Sequence, residues 1–129
     1  MSRLAQKPPS PPYVSWTRRS APIGYRIIDG CLVAEPVEAA FVRVLYERFH
    51  VTHDLRRVAR KLRRELGLPR ARDVDTELSG LLRVLQDPVY IGMIRRHATL
   101  YRGRHRPIVS RALWQRVQEL LIVDFCLDE

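Results

Sequence analysis

The protein has 129 residues, 46% of them hydrophobic, which is enough for one domain with its own core and excludes a chain that stays disordered. Its 23 Lys and Arg outnumber its 14 Asp and Glu, for a net charge of +9, and a surplus of this size points to a polyanionic partner. No apolar run approaches the roughly 18 residues that span a bilayer, and "MSRLAQKPPSPPYVSW" has no signal-peptide core, so a cytoplasmic protein without membrane contact is expected.

Residues 1–20 hold four of the nine prolines and read as a flexible lead. "YRII" and "CLVA" flank Asp29-Gly30, a strong two-residue turn signal, and predict a β-hairpin. Pro36 predicts the start of a first helix, with Glu35 and Glu38 suited to its positive end. Its apolar stripe is expected at Val37, Ala40, Phe41, Val44, Leu45 and Phe49.

A second helix is predicted over 54–66, capped by Thr52 or Asp54. Leu55, Val58, Ala59, Leu62 and Leu66 would face inward, and Gly67 and Pro69 end the helix. The third helix is expected over 76–86, capped by Asp75 or Thr76. Leu78, Leu81, Leu82 and Leu85 mark its buried face, and Glu77, Ser79, Gly80, Arg83 and Gln86 its outer one.

Asp87-Pro88 stops that helix. "VYIGMIRRH" then reads as a strand through Val89, Ile91 and Ile94, and Ile108-Val109 as its partner across a Gly103 turn. Ser110 caps a last helix with Leu113, Trp114, Val117, Leu120 and Leu121 inside. Residues 123–129 form a tail that is apolar and then acidic.

Catalytic and metal chemistry find no support in this pattern. Cys31 and Cys126 lie far apart, with no Cys or His at ligand spacing, and read as two reduced thiols. His50 and His53 straddle a predicted turn and lack an acidic or Cys partner. Gly24, Gly30 and Gly67 are isolated, so there is no phosphate loop, and no Ser sits in a nucleophile elbow. No catalytic residue, metal or cofactor is assigned.

The basic residues are more informative. From Arg56 to Arg72 there are eight cations and one acid, and from Arg95 to Arg106 five arginines and no acid. A single charge run is ordinarily a solvated face. Two runs, one on a helix and one on a hairpin, fit a phosphate-contacting surface better. Two helices followed by a hairpin have the order of a winged-helix DNA reader, although "LGLPRARDVDT" is longer than a tight helix-turn-helix link. The fold class expected is α+β: a small helical domain with a helix-turn-helix or winged-helix-like core and short β-hairpins. Its domain would span 21–122.

Four segments together resemble the recombinase domain of large serine recombinases. Pro22, Gly24, Tyr25, Leu32, Pro36, Glu38 and Ala39 match its opening "P-x-G-Y … L-x-V-x-P-x-E-A", with Val33 one place before the family's valine. Val58, Ala59 and Leu62 match "I-A-x-x-L-N-x-x-G", with Gly67 one place beyond the family's glycine. Leu81, Val84, Leu85, Pro88, Tyr90 and Gly92 match "V-x-x-I-L-x-N-P-x-Y-x-G", with Asp87 where the family usually has Asn. His105, Pro107, Ile108, Trp114, Val117, Gln118 and Leu121 match "H-x-P-I-I-x-x-x-x-F-x-x-V-Q-x-x-L".

The resemblance implies binding to a double-stranded DNA attachment site during site-specific recombination or integration of a mobile element. The family's serine-bearing catalytic domain and its zinc ribbon have no counterpart here, so a truncated domain without catalysis of its own is expected. Glu77, Ser79, Gly80 and Arg83 are the candidate base contacts. Arg56, Arg57, Arg60, Lys61, Arg64, Arg95, Arg96, Arg102 and Arg104 are the candidate phosphate contacts. The alternatives are a regulatory module that binds a full-length recombinase or itself through the run Leu120 to Phe125, and an RNA-binding role for the same surface.

Overall fold

The computed structural model describes residues 21–67 and 73–126, with the side chains of 123–126 excepted. Strands β1 (Tyr25–Ile28) and β2 (Cys31–Ala34) pair antiparallel, with Ile28 opposite Cys31. Asp29 and Gly30 between them both have positive φ, 52° and 78°, which is the turn their sequence predicts.

Helix α1 is Pro36–Thr52, α2 is Leu55–Glu65 and α3 is Val74–Gln86. A 3-10 turn follows at Pro88–Ile91, then the hairpin of β3 (Met93–Arg96) and β4 (Thr99–Arg102), and finally α4 (Arg111–Cys126). The architecture is α+β, with four helices and two separate two-stranded hairpins among the described residues. The proline-rich lead lies outside those residues. So does the middle of the α2–α3 link, which runs from Glu65 to Val74.

Each helix start has a local cause. The Glu35 carboxylate accepts the Val37 and Glu38 amides, and Pro36 occupies the first turn. Asp54 accepts the Arg57 amide, and Ser110 Oγ accepts that of Leu113. The α3 cap is Asp73 rather than Asp75 or Thr76. It accepts the Asp75 and Thr76 amides, and the Thr76 hydroxyl donates to its other oxygen at 2.9 Å. That hydroxyl reinforces the earlier cap and lets α3 begin at Val74.

The α1 stripe is rotated from the expected one. Ala39, Val42, Leu45, Tyr46 and Phe49 are buried, while Val37 is 75% exposed. The pivot is Tyr46, whose ring is fully buried because its hydroxyl finds an acceptor inside. Leu66, expected on the inner face of α2, is exposed, and Val58, Ala59 and Leu62 carry the packing there.

Two strand expectations are corrected. Val89 to Ile91 form a 3-10 turn, not a strand, because Asp87 caps the Val89 amide at 2.9 Å and Pro88 fixes the first φ. Gly92, at φ 83°, then releases the chain into β3. The partner of β3 is Thr99–Arg102, with Ile94 opposite Tyr101. Ile108 and Val109 are buried outside the sheet, and both amides donate to the Tyr90 carbonyl at 3.0 Å.

The core joins the first hairpin, all four helices and the 3-10 turn. Tyr25 stacks on Tyr90 with ring centroids 6.0 Å apart, and Tyr46 meets Tyr90 edge-on. Their hydroxyls satisfy backbone carbonyls: Tyr90 donates to Ile23 and Tyr25 to Arg106, each at 2.5 Å. Burial pushes all three phenols well above their ordinary pKa, so they remain protonated donors.

Candidate nucleic-acid interface

The last turn of α3 leaves carbonyls without helical partners, and other elements supply them. Tyr46 of α1 donates to Val84, Gln118 of α4 to Leu85 at 2.6 Å, and the Trp114 indole to Asp87 at 3.1 Å. His105 Nε2 bonds the Val89 carbonyl at 2.7 Å one step further on. Four side chains from outside α3 thus fix where it ends and which way it points. Tyr90, His105, Trp114 and Gln118 belong to the motifs quoted above, and here they act as scaffold.

With that end held, α3 presents a continuous exposed stripe of Thr76, Ser79, Gly80, Arg83 and Gln86. The spacing i, i+3, i+4, i+7, i+10 keeps these on one side. Glu77, expected among them, is half-buried and its carboxylate is bonded to Arg63 of α2. Gly80 sits in open space: a Cβ added there would meet no atom within 4 Å. Nothing within the fold requires glycine at that position.

The cations of α2 divide into stripes. Arg56, Arg60 and Arg63 are at i, i+4 and i+7, and Arg63 meets Glu77, so this stripe borders α3. Lys61 shares a stripe with Glu65, which pairs with Arg48 of α1 at 2.8 Å, so Lys61 lies toward α1. Arg56, Arg57, Arg60, Lys61 and Arg64 are all exposed.

On the second hairpin, Arg95 and Arg102 are exposed, as is Arg104 just beyond it. Arg96 is half-buried, with one terminal nitrogen shielded from solvent, and is the least available of the set. Arg95 and Arg83 line one cleft of about 400 Å³ between the end of α3 and β3, together with Gln86, Asp87, Pro88 and Met93. Sequence spacing did not reveal this cleft, because it depends on how the 3-10 turn folds β3 back.

Asp87 stands in the wall of that cleft. Burial pushes its carboxyl above the ordinary carboxylate value, against the Val89 amide and the positive charge of Arg95. Burial likewise pushes the His105 imidazole down. Among the described residues, no three His, Cys, Asp or Glu are grouped to hold a metal, and no helix is long and apolar enough to cross a membrane.

Fold and surface together define a small α+β domain in which an exposed, rigidly anchored helix face is bordered by a cationic helix and a cationic hairpin. The chain belongs to the Recombinase family, whose model matches residues 36–122. Two solved structures are similar. One, from work on the sequence requirements of the Listeria innocua prophage attP site, is 25% identical with a TM-score of 0.68, over 85% of this chain and 45% of that one. The other, a crystal structure of an LSR–DNA complex, is 25% identical with a TM-score of 0.67, over 82% of this chain and 32% of that one. This chain therefore spans less than half the length of either. No curated protein matches it.

Proposed function

We propose that this domain binds double-stranded DNA as the attachment-site module of a serine-recombinase-type protein, with catalysis residing outside it. The carrying observation is the exposed stripe of α3, fixed at its C-terminal end and flanked by cations on both neighbouring elements. Ser79, Gly80 and Arg83 face the major groove. Glu77, whose carboxylate is bonded to Arg63, ties α3 to α2 beside that stripe. Arg56, Arg57, Arg60, Lys61 and Arg64 on one side, and Arg95, Arg96, Arg102 and Arg104 on the other, meet phosphates. The comparison with an LSR–DNA complex supports this reading.

Fluorescence anisotropy with labelled duplex across a salt series tests it. The affinity should fall steeply with salt, by roughly 0.9 log units per log unit of salt for each phosphate contacted. Absence of duplex binding at low salt, or equal preference for single-stranded RNA, refutes it.

One observation favours a second role, docking on a full-length recombinase or on itself. Ile122 is 62% exposed at the edge of a cleft of about 410 Å³ lined by Leu82, Gln86, Gln118 and Leu121. Sedimentation of the protein alone tests self-association, and a purely monomeric species at all concentrations removes that form of it.

A further inference from the structure

The cleft between α3 and β3 carries charges of both signs. Arg83 and Gln86 enter it from α3, Asp87 from the helix end and Arg95 from β3, over Pro88 and Met93. A site for phosphate alone is served by donors, and a carboxylate in its wall repels the ligand. A base-pair edge is different, because it shows acceptors and donors side by side. In the major groove guanine offers O6 and N7 as acceptors, and cytosine offers its N4 amine as a donor.

Asp87 is held in a way that suits this task. One carboxylate oxygen accepts the Val89 amide at 2.9 Å, and its backbone carbonyl accepts the Trp114 indole at 3.1 Å. Among the described residues, the second carboxylate oxygen takes no hydrogen bond. The side chain is thus fixed, with one acceptor left to the cleft. We propose that the cleft reads a single G·C pair: Arg83 donates to the guanine O6 and N7, and the second Asp87 oxygen accepts from cytosine N4, while Arg95 holds a neighbouring phosphate at the rim. The inference rests on the DNA-binding reading above and adds Asp87 as a specificity-determining residue.

Burial pushes the Asp87 carboxyl up, and a donor arriving in the cleft would favour its ionised form. Asp87→Asn offers a sharp test. The amide oxygen can keep the Val89 cap, which turns an NH2 group toward the cleft in place of an acceptor.

Selection from a pool of random-sequence duplexes, performed with wild type, Asp87→Asn, Asp87→Ala and Arg83→Ala, reads the outcome. Wild type should select a motif containing one G·C pair. Asp87→Ala should relax the preference at that pair on the order of tenfold. Asp87→Asn should move it toward a pair presenting an acceptor there, and Arg83→Ala should relax the same pair. If both Asp87 variants select the wild-type motif unchanged while Arg83→Ala relaxes it, the Asp87 assignment is overturned and the DNA-binding reading stands. If wild type retains no duplex, both fall.

Discussion

The Tyr46 hydroxyl donates to the Val84 carbonyl at 2.6 Å, joining the middle of α1 to the last turn of α3. Tyr46 is fully buried, so no water can replace it. Tyr46→Phe should therefore cost about 1 kcal/mol, the net worth of one hydrogen bond, because the Val84 carbonyl keeps the Asp87 amide. Urea unfolding measures this. Duplex affinity measured under conditions where the variant is still folded should change little, since the ring and the path of α3 persist.

Gly80→Ala should stabilise the domain by roughly 0.5–1 kcal/mol, because alanine is the better helix former and its Cβ meets no neighbour. On the proposed groove role, duplex affinity should fall, since the added methyl takes the space an approaching base edge would use. A rise in Tm accompanied by undiminished affinity contradicts the groove role of Gly80.

Two ionisable groups beside the cleft act on stability with opposite signs. His105 has its pKa lowered from 6.5 by burial, so the unfolded chain takes up that proton first, and stability falls as pH drops through about 6.5. Asp87 has its pKa raised from 3.8 by burial, so the folded chain takes up that proton first, and its ionisation costs stability as pH rises past 3.8. Asp87→Asn keeps an acceptor for the Val89 amide and removes the charge. It should raise the unfolding free energy at pH 7, and the gain should vanish below pH 3.8, where the wild-type carboxyl is protonated in both states. Denaturant titrations across that range check it.

The stripes of α2 rank its cations. Arg60 borders α3, whereas Lys61 shares its side with the Glu65–Arg48 pair. Arg60→Ala should weaken binding to all duplexes and lower the magnitude of the salt slope by about one contact, and Lys61→Ala should do so less. Equal losses refute the ranking.

His97 and Ala98 form the tip of the second hairpin with φ of 51° and 68°. Ala98 has no side-chain compensation for a left-handed backbone, so Ala98→Gly should stabilise the domain by about 1 kcal/mol. Thermal unfolding measures it.

That tip also explains what the sequence hid. Asp29-Gly30 announces the first hairpin because glycine marks a positive φ, whereas "HA" carries no such mark, and the pattern points instead to Ile108-Val109 as the partner of β3. Those residues read as a strand because they are β-branched and apolar, but their amides are taken by a single carbonyl, that of Tyr90. Val89 and Tyr90 have the same β-like look, but burial, not strand pairing, requires their hydrophobicity. Helices were easier, since Pro36, Asp54 and Ser110 act within one turn. On the candidate surface, the exposure of Ser79, Gly80 and Arg83 followed from helical period alone. The Glu77–Arg63 bond and the Arg83–Arg95 cleft did not, because each joins elements whose relative placement no local pattern specifies.

The segment "PVYIG" carries the family motif, yet Pro88, Val89, Tyr90 and Gly92 are all buried. Its role is to end a helix and turn the chain. A signature made of interior residues identifies a chassis and is silent about the cargo. Two chains could share every letter of it and seek unrelated addresses in a genome. What separates them would be written on a strip of five outward positions, 76, 79, 80, 83 and 86, and on the residue at 87. On the DNA-binding reading proposed above, retargeting such a domain is a problem of a few surface letters, and the interior can be left as it stands.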